Sequence, residues 1–182
     1  VAFSVCVYCS ASTTDPALLE LAAEVGAEIG RRGWTLVSGG GRVSMMGALA
    51  SSARANGGYT IGVIPRHLMT AEVPDHDAGE LLVTNNMGER KALMTKYADA
   101  FLALPGGIGT LEELFETWTG GYLGEHSKPV VVLDHDGFYD GLFTWLDELY
   151  ERGFVTTRAR DRISVARDVA TALDALTPIR AI

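Results

Sequence analysis

Ala100-Phe101-Leu102-Ala103-Leu104-Pro105-Gly106-Gly107-Ile108-Gly109-Thr110-Leu111-Glu112-Glu113 reads as a buried strand, a glycine-rich turn and the opening of a helix that continues to Tyr122. A short continuous apolar run bounded by Pro and Gly is strand-like. The turn that follows suits an anion. Gly106, Gly107 and Gly109 carry no Cβ, which frees φ and ψ and lets a ligand approach the backbone closely. The first N–H groups of the helix have no intrahelical partners, and the positive end of the helix dipole stands behind them. Phosphate is the expected guest. The two carboxylates that come next would repel it, so they need an explanation of their own. One is structural: Thr110-x-x-Glu113 matches a capping box, with Thr110 as N-cap and Glu113 bonding back to its N–H. The other is chemical. On this motif alone the two readings of Glu113 stand level.

The same strand–helix alternation extends along the chain. Apolar runs predict strands at 2–8, 34–38, 59–64, 80–84, 99–104 and 129–133, with a weaker one at 162–165. Asp15-Pro16 supplies an N-cap followed by proline at the first helical position, and Gly33 ends that helix. Leu18, Ala22, Val25 and Ile29 share one helical face. Further helices are expected over 44–56, 86–97, 111–122, 138–152 and 168–176, with a short turn at 157–161. The runs at 101–104 and 130–133 are apolar on both faces, which means strands covered on both sides. The expectation is one α/β domain over residues 1–182, a parallel sheet with helices on both faces.

Bulk properties exclude several functions. The formal net charge of −8 argues against general nucleic-acid or membrane-surface binding, which needs a basic face. No apolar run approaches bilayer-spanning length. The opening residues lack a basic n-region and enter a strand pattern directly, so no signal peptide and a cytoplasmic location are expected. Cys6 and Cys9 have redox-like spacing, but the spacing falls in a strand, where alternation sends the two to opposite faces; reduced structural thiols are the better reading. His67, His76, His126 and His135 show no metal-ligand spacing, so no metal is expected. Gly39-x-Gly41-x-x-Ser44 nearly matches a dinucleotide fingerprint. The next strand, Ile61-Gly62-Val63-Ile64, runs into Pro65-Arg66 without the acidic residue that a nicotinamide cofactor requires. No Walker-type loop or nucleophile elbow occurs.

Ligands of parallel α/β sheets sit at the carboxyl ends of the strands. Four such segments are chemically rich: 9–12, 38–47, 85–91 and the loop at Pro105. Arg90 and Lys91 open a helix, where the dipole disfavours cations. Residues that break a local rule tend to be functional, although an exposed Glu89–Arg90–Lys91 cluster is the plainer alternative. An anion loop, an Arg-Lys pair and a carboxylate pair along one sheet edge point to a phosphorylated sugar or nucleotide. A carboxylate beside an anchored ribose phosphate suits glycosidic cleavage, because it can stabilise an oxocarbenium-like centre and activate water.

These motifs resemble those of the LOG (LONELY GUY) family of cytokinin-activating phosphoribohydrolases, whose signatures are PGGxGTxxE and GGGxxGLMG with an Arg-Lys pair between them. The first is present in full from Pro105 to Glu113. Similarity covers about residues 3–155, including Val63-Ile64-Pro65 and Gly137-Phe138-Tyr139. The resemblance implies a Rossmann-like, doubly wound sheet and hydrolysis of N6-modified adenosine 5′-monophosphates, with AMP also accepted, to free base and ribose 5-phosphate. It implies no cofactor. Carried over by position, Arg90 and Glu113 are the catalytic pair. Glu72, Lys91, Gly106, Gly107, Ile108, Gly109, Thr110, Leu111, Glu112 and Thr119 are nucleotide-contacting positions. It also implies a homodimer with the site at the interface. Met45, Met46, Trp118 and Tyr122 cluster near the ligand edge, and two readings of them stand level: helices that pack across a two-fold axis, or ordinary core packing. Two departures stand out. Ser44 and Met45 replace the usual Gly and Leu, and Gly88 stands where many members carry His. The lysine decarboxylase label often attached to the family would need a Schiff-base lysine. The chain has three lysines, at 91, 96 and 128, and Lys91 is expected to serve phosphate. The rival reading is a nucleotide-binding or carrier protein on the same fold.

Overall fold

The computed structural model describes residues 2–177. The apolar runs become strands β1 (Ser4–Tyr8), β2 (Thr35–Ser38), β3 (Tyr59–Pro65), β4 (Glu80–Thr84), β5 (Ala100–Ala103), β6 (Val130–Leu133) and β7 (Ser164–Ala166). They form one sheet in the order β4-β3-β2-β1-β5-β6-β7, and each neighbouring pair is parallel. The chain winds outward from β1 to β4, then crosses back to β5 and winds the other way. The reversal places β1 beside β5, with Val5 opposite Ala100 and Tyr8 opposite Ala103. This is the topological switch point, where open α/β sheets leave a crevice for ligands.

The helices are α1 (Pro16–Arg31), α2 (Ser44–Ala55), α3 (Met87–Tyr97), α4 (Ile108–Leu123), α5 (Asp140–Glu151), α6 (Thr157–Arg160) and α7 (Val169–Leu176). Period-2 alternation along β1 feeds two cores. Val5 and Val7 join residues of α1, α2 and α7 on one face. Cys6 and Tyr8 join Met94 of α3, Leu114 and Trp118 of α4 and Leu146 of α5 on the other. Cys9 packs against the first core and Cys6 lies in the second, and both are free thiols. No helix among the described residues is long and apolar enough to cross a membrane.

Two helix starts differ from expectation. Helix α4 begins at Ile108, not Leu111, with Gly107 as N-cap. Thr110 is therefore the third helical residue, and it is buried. It is not the N-cap, and the capping box with Glu113 does not form. Helix α5 begins at Asp140 rather than Phe138, because His135–Gly137 makes a 3₁₀ turn with Asp136 and Gly137 at positive φ. Helix α3 starts close to where it was expected. Asn86 is its N-cap and accepts from the Glu89 N–H at 2.9 Å, while the Glu89 carboxylate accepts from the Asn85 N–H at 2.8 Å.

Candidate active site

A cleft of about 340 Å³ lies over the carboxyl ends of β1 and β5. One wall is the start of α4. Gly107, Ile108, Gly109 and Thr110 line it, and the free N–H groups of the first turn belong to this segment. A Cβ added at Gly107 or Gly109 would meet nothing within 4 Å. None of the loop glycines sits at positive φ, so of the two reasons for glycine only close approach applies here. Gly106 is different, since a Cβ there would lie 2.1 Å from the Thr110 hydroxyl. Cys9, Ser10 and Ser12 line the opposite lip. The Ser10 N–H donates to the Pro105 carbonyl at 3.2 Å and ties the two loops together.

Glu113 points into this cleft from the second turn of α4. Burial pushes its carboxyl up to about 7; Arg90 opposes that, and Glu112 and Glu72 add to it. A carboxylate in this range exchanges protons readily at neutral pH.

Arg90 is buried beneath the cleft. Its Nε–H donates to the Val63 carbonyl at 3.0 Å, and Nη2 donates to the Gly39 carbonyl at 2.7 Å and to Glu72 Oε2 at 2.8 Å. Nη1 meets only the Met87 sulfur, at 3.8 Å. The near-miss dinucleotide loop is thus a socket for this side chain. A Cβ on Gly39 would lie 2.1 Å from Arg90 Nη2, and one on Gly41 would lie 2.9 Å from the Glu72 carbonyl oxygen.

The cleft therefore gathers Glu72, Arg90, Gly107, Ile108, Gly109, Thr110 and Glu113. It does not gather all the expected residues. Lys91 turns away and pairs with Glu112 and, at 2.8 Å, with Glu116 on α4. Those two carboxylates hold the Lys91 ammonium above its usual pKa. Leu111 packs against the core of the α4 face. Thr119 lies on a separate groove with Phe115, Trp118 and Tyr122. Met45 is fully buried in the α1–α2 core, Met46 lines the cleft, and Trp118 donates its Nε1–H to the Ala159 carbonyl at 2.7 Å. Met45 is thus a core residue and Met46 faces the cleft, whereas Trp118 and Tyr122 line the groove on α4.

Sequence reading missed the apolar side of the cleft, made by Met46, Leu68, Met87 and Met94. Three of the chain's five methionines meet there. Methionine adapts to ligands of varied shape, but its scatter across α2 and α3 gives no local signal. None of the three lysines lines the cleft; Lys128 donates to the Thr95 carbonyl at 2.7 Å. The donor set therefore does not fit a Schiff-base cofactor.

The chain as a whole matches known proteins. A family described as "Possible lysine decarboxylase" matches residues 46–176. A cytokinin riboside 5′-monophosphate phosphoribohydrolase from Mycobacterium tuberculosis is 57% identical over 97% of this chain and 94% of its own length. The rice protein of the same name, LOG, is 43% identical over 96% of this chain and 74% of its own. The chain belongs to the LOG family. Among solved structures, a molybdenum cofactor carrier protein from Chlamydomonas reinhardtii superposes with a TM-score of 0.71 at 25% identity, covering 96% of each chain. A molybdenum cofactor binding protein from Rippkaea orientalis reaches 0.69 at 22% identity, over 95% of this chain and 93% of its own. This chain and these carriers thus share one fold, and fold alone does not settle function.

Proposed function

We propose that this LOG-family chain is a phosphoribohydrolase that cleaves the N-glycosidic bond of N6-modified adenosine 5′-monophosphates, and of AMP, to free base and ribose 5-phosphate. The observation that carries the reading is Glu113: a buried carboxyl poised near neutrality beside Arg90 and next to an anion-binding helix start. The 5′-phosphate sits on the N–H groups from Gly107 to Thr110. The ribose then lies over Glu113, and the base lies against Met46, Leu68 and Met87. As the bond from C1′ to the base nitrogen breaks, its electron pair leaves with the base and positive charge develops at C1′. The Glu113 carboxylate stabilises that charge and takes a proton from the attacking water. The hydroxyl bonds to C1′, and the water proton ends on the departing base. Arg90 keeps Glu113 anionic at the moment of attack. A second copy completes the rim of the site in a cytoplasmic homodimer, where the Thr119 of one subunit reaches the nucleotide of the other.

The fold likeness to cofactor carriers supports the second reading, a binder without turnover. Incubation with AMP and isopentenyladenosine monophosphate, followed by chromatography for free base, separates the two. Release of base from both nucleotides is expected, with adenosine turned over far more slowly because it lacks the phosphate. Equal turnover of AMP and adenosine would remove the phosphate assignment, and no release from any nucleotide would favour the carrier.

A further inference from the structure

We infer that Glu72 is a positioning residue: it seats the Arg90 guanidinium beside Glu113 and shares its charge, instead of serving as a substrate ligand. The inference rests on the reading of Glu113 as the catalytic carboxylate. Arg90 has five N–H donors. One goes to the Val63 carbonyl, two on Nη2 go to the Gly39 carbonyl and to Glu72, and one on Nη1 faces the Met87 sulfur. Only one remains for anything in the cleft. Among the described residues Glu72 supplies the sole carboxylate bonded to this side chain, and the pair is shielded, with side-chain exposures of 5% for Arg90 and 14% for Glu72. The Oε2 oxygen of Glu72 is committed to the guanidinium, and the negative charge of the carboxylate is spent first on Arg90. Without it, a buried cation would lose its counter-charge, which is the costly way to break such a pair.

The backbone around Glu72 is built to hold this arrangement. The Glu72 N–H donates to the Leu68 carbonyl at 2.8 Å. The Arg42 N–H donates to the carbonyls of Glu72 and Val73 at 3.1 and 2.8 Å, and the Asp75 N–H donates to Gly40 at 2.9 Å. Pro74 bridges Gly41 in an isolated antiparallel contact. Buried Asp75 pairs with Arg54 of α2 at 2.7 Å. Between Glu72 and Pro74 stands Val73 at φ +52, a left-handed conformation that a β-branched residue adopts only under constraint. Strain of this kind persists where the surroundings over-determine the backbone. Here it fixes the turn that presents Glu72 to Arg90.

Charged and titratable groups reach Glu113 from each side. Arg90 and Lys91 come from α3, Glu72 from the 66–79 loop and Glu112 from α4 itself. The Cys6 and Cys9 thiols and the Tyr8 phenol come from β1 and its loop, where burial keeps them protonated. Replacing Glu72 by a neutral residue removes one negative charge and leaves the Arg90 charge to act undivided on Glu113. Glu113 should then titrate at lower pH.

The test is Glu72→Gln, which retains a carbonyl oxygen for Arg90 Nη2 and loses only the charge; a melting curve checks that it folds. The Glu113 carboxyl is followed by ¹³C NMR titration of nucleotide-free protein, a readout that needs no turnover. Steady-state kinetics of AMP cleavage run in parallel across pH. The expected result is a Glu113 midpoint moved to lower pH and a kcat loss of up to roughly 10²-fold, the scale for a catalytic group displaced by about 1 Å, with KM little changed. An unmoved midpoint with a raised KM and intact kcat would make Glu72 a substrate ligand and overturn the inference. If the wild-type protein cleaves no nucleotide, the activity reading falls, and the NMR midpoint still decides what Glu72 does.

Discussion

Glu113 concentrates the chemistry of this chain in one carboxyl. The sequence left it between helix cap and catalyst, and the start of α4 at Ile108 removes the cap, since Thr110 lies inside the helix. What remains is a buried acid pushed to about 7. If its carboxylate is the working form, activity rises with pH through about 7. Stability runs the other way. A carboxyl whose folded pKa is raised holds its proton longer in the native state, so stability is full below the unfolded value and falls as pH climbs towards the folded one. The shift is worth up to about 3 kcal/mol above pH 7. Glu113→Gln should therefore melt like the wild type at pH 5 and higher than it at pH 8, while AMP cleavage falls roughly 10²–10⁴-fold and nucleotide binding persists. Paired melting and turnover assays check this. A variant less stable than wild type at pH 8, or one with near-normal turnover, would contradict the assignment.

At the scale of elements, α2 shows how a departure from the family pattern is accommodated. Ser44 occupies the position where Gly is usual, and it sits at φ +53, a conformation that costs a non-glycine residue roughly 1–2 kcal/mol. Its hydroxyl donates to the Thr13 carbonyl at 2.7 Å, a bond worth about 1 kcal/mol. Ser44→Ala keeps the strain and loses the bond, so it should lower stability by about 1 kcal/mol, or roughly 2–4 °C in Tm for a chain of this size. Ser44→Gly loses the bond but relieves the strain, and should stay within about 1 kcal/mol of the wild type. Calorimetry on the two variants tests the ranking; an Ala variant as stable as the Gly variant would dismiss it. The same scale explains what the sequence could reveal. Strands and helices were legible because their apolar periods are local, and the ligand edge followed from the parallel sheet. The start of α4 was misjudged because three glycines look like loop, although glycine at an N-cap or in a first turn costs little. Glu72 and Arg90 are 18 positions apart in sequence, on a loop without periodicity and a helix whose apolar face is weak. No local pattern could join them. The motif resemblance named both positions, and folding reveals that they touch each other.

At the scale of the whole molecule, Thr119 is one of the expected residues that the fold leaves outside the cleft. Family resemblance assigns Thr119 to the nucleotide, yet it is exposed outside the cleft, in a separate groove of about 190 Å³ with Phe115, Trp118 and Tyr122. Leu123 and Phe154 are 62% and 70% exposed nearby in sequence or along the same groove. A single subunit has no use for an apolar face there. A two-fold axis beside α4 would bury that face and carry Thr119 towards the partner's nucleotide, and isologous contact makes one such surface serve two sites at once. Thr119→Asp then becomes informative. The position is exposed, so the subunit should fold and melt normally, but two carboxylates would enter a small apolar interface across the axis. We expect sedimentation at micromolar concentration to show a dimer for the wild type and monomer for the variant, with AMP cleavage lost alongside the dimer. A monomeric wild type would remove the assembly. A dimeric variant with normal turnover would place the interface elsewhere and leave Thr119 outside the site.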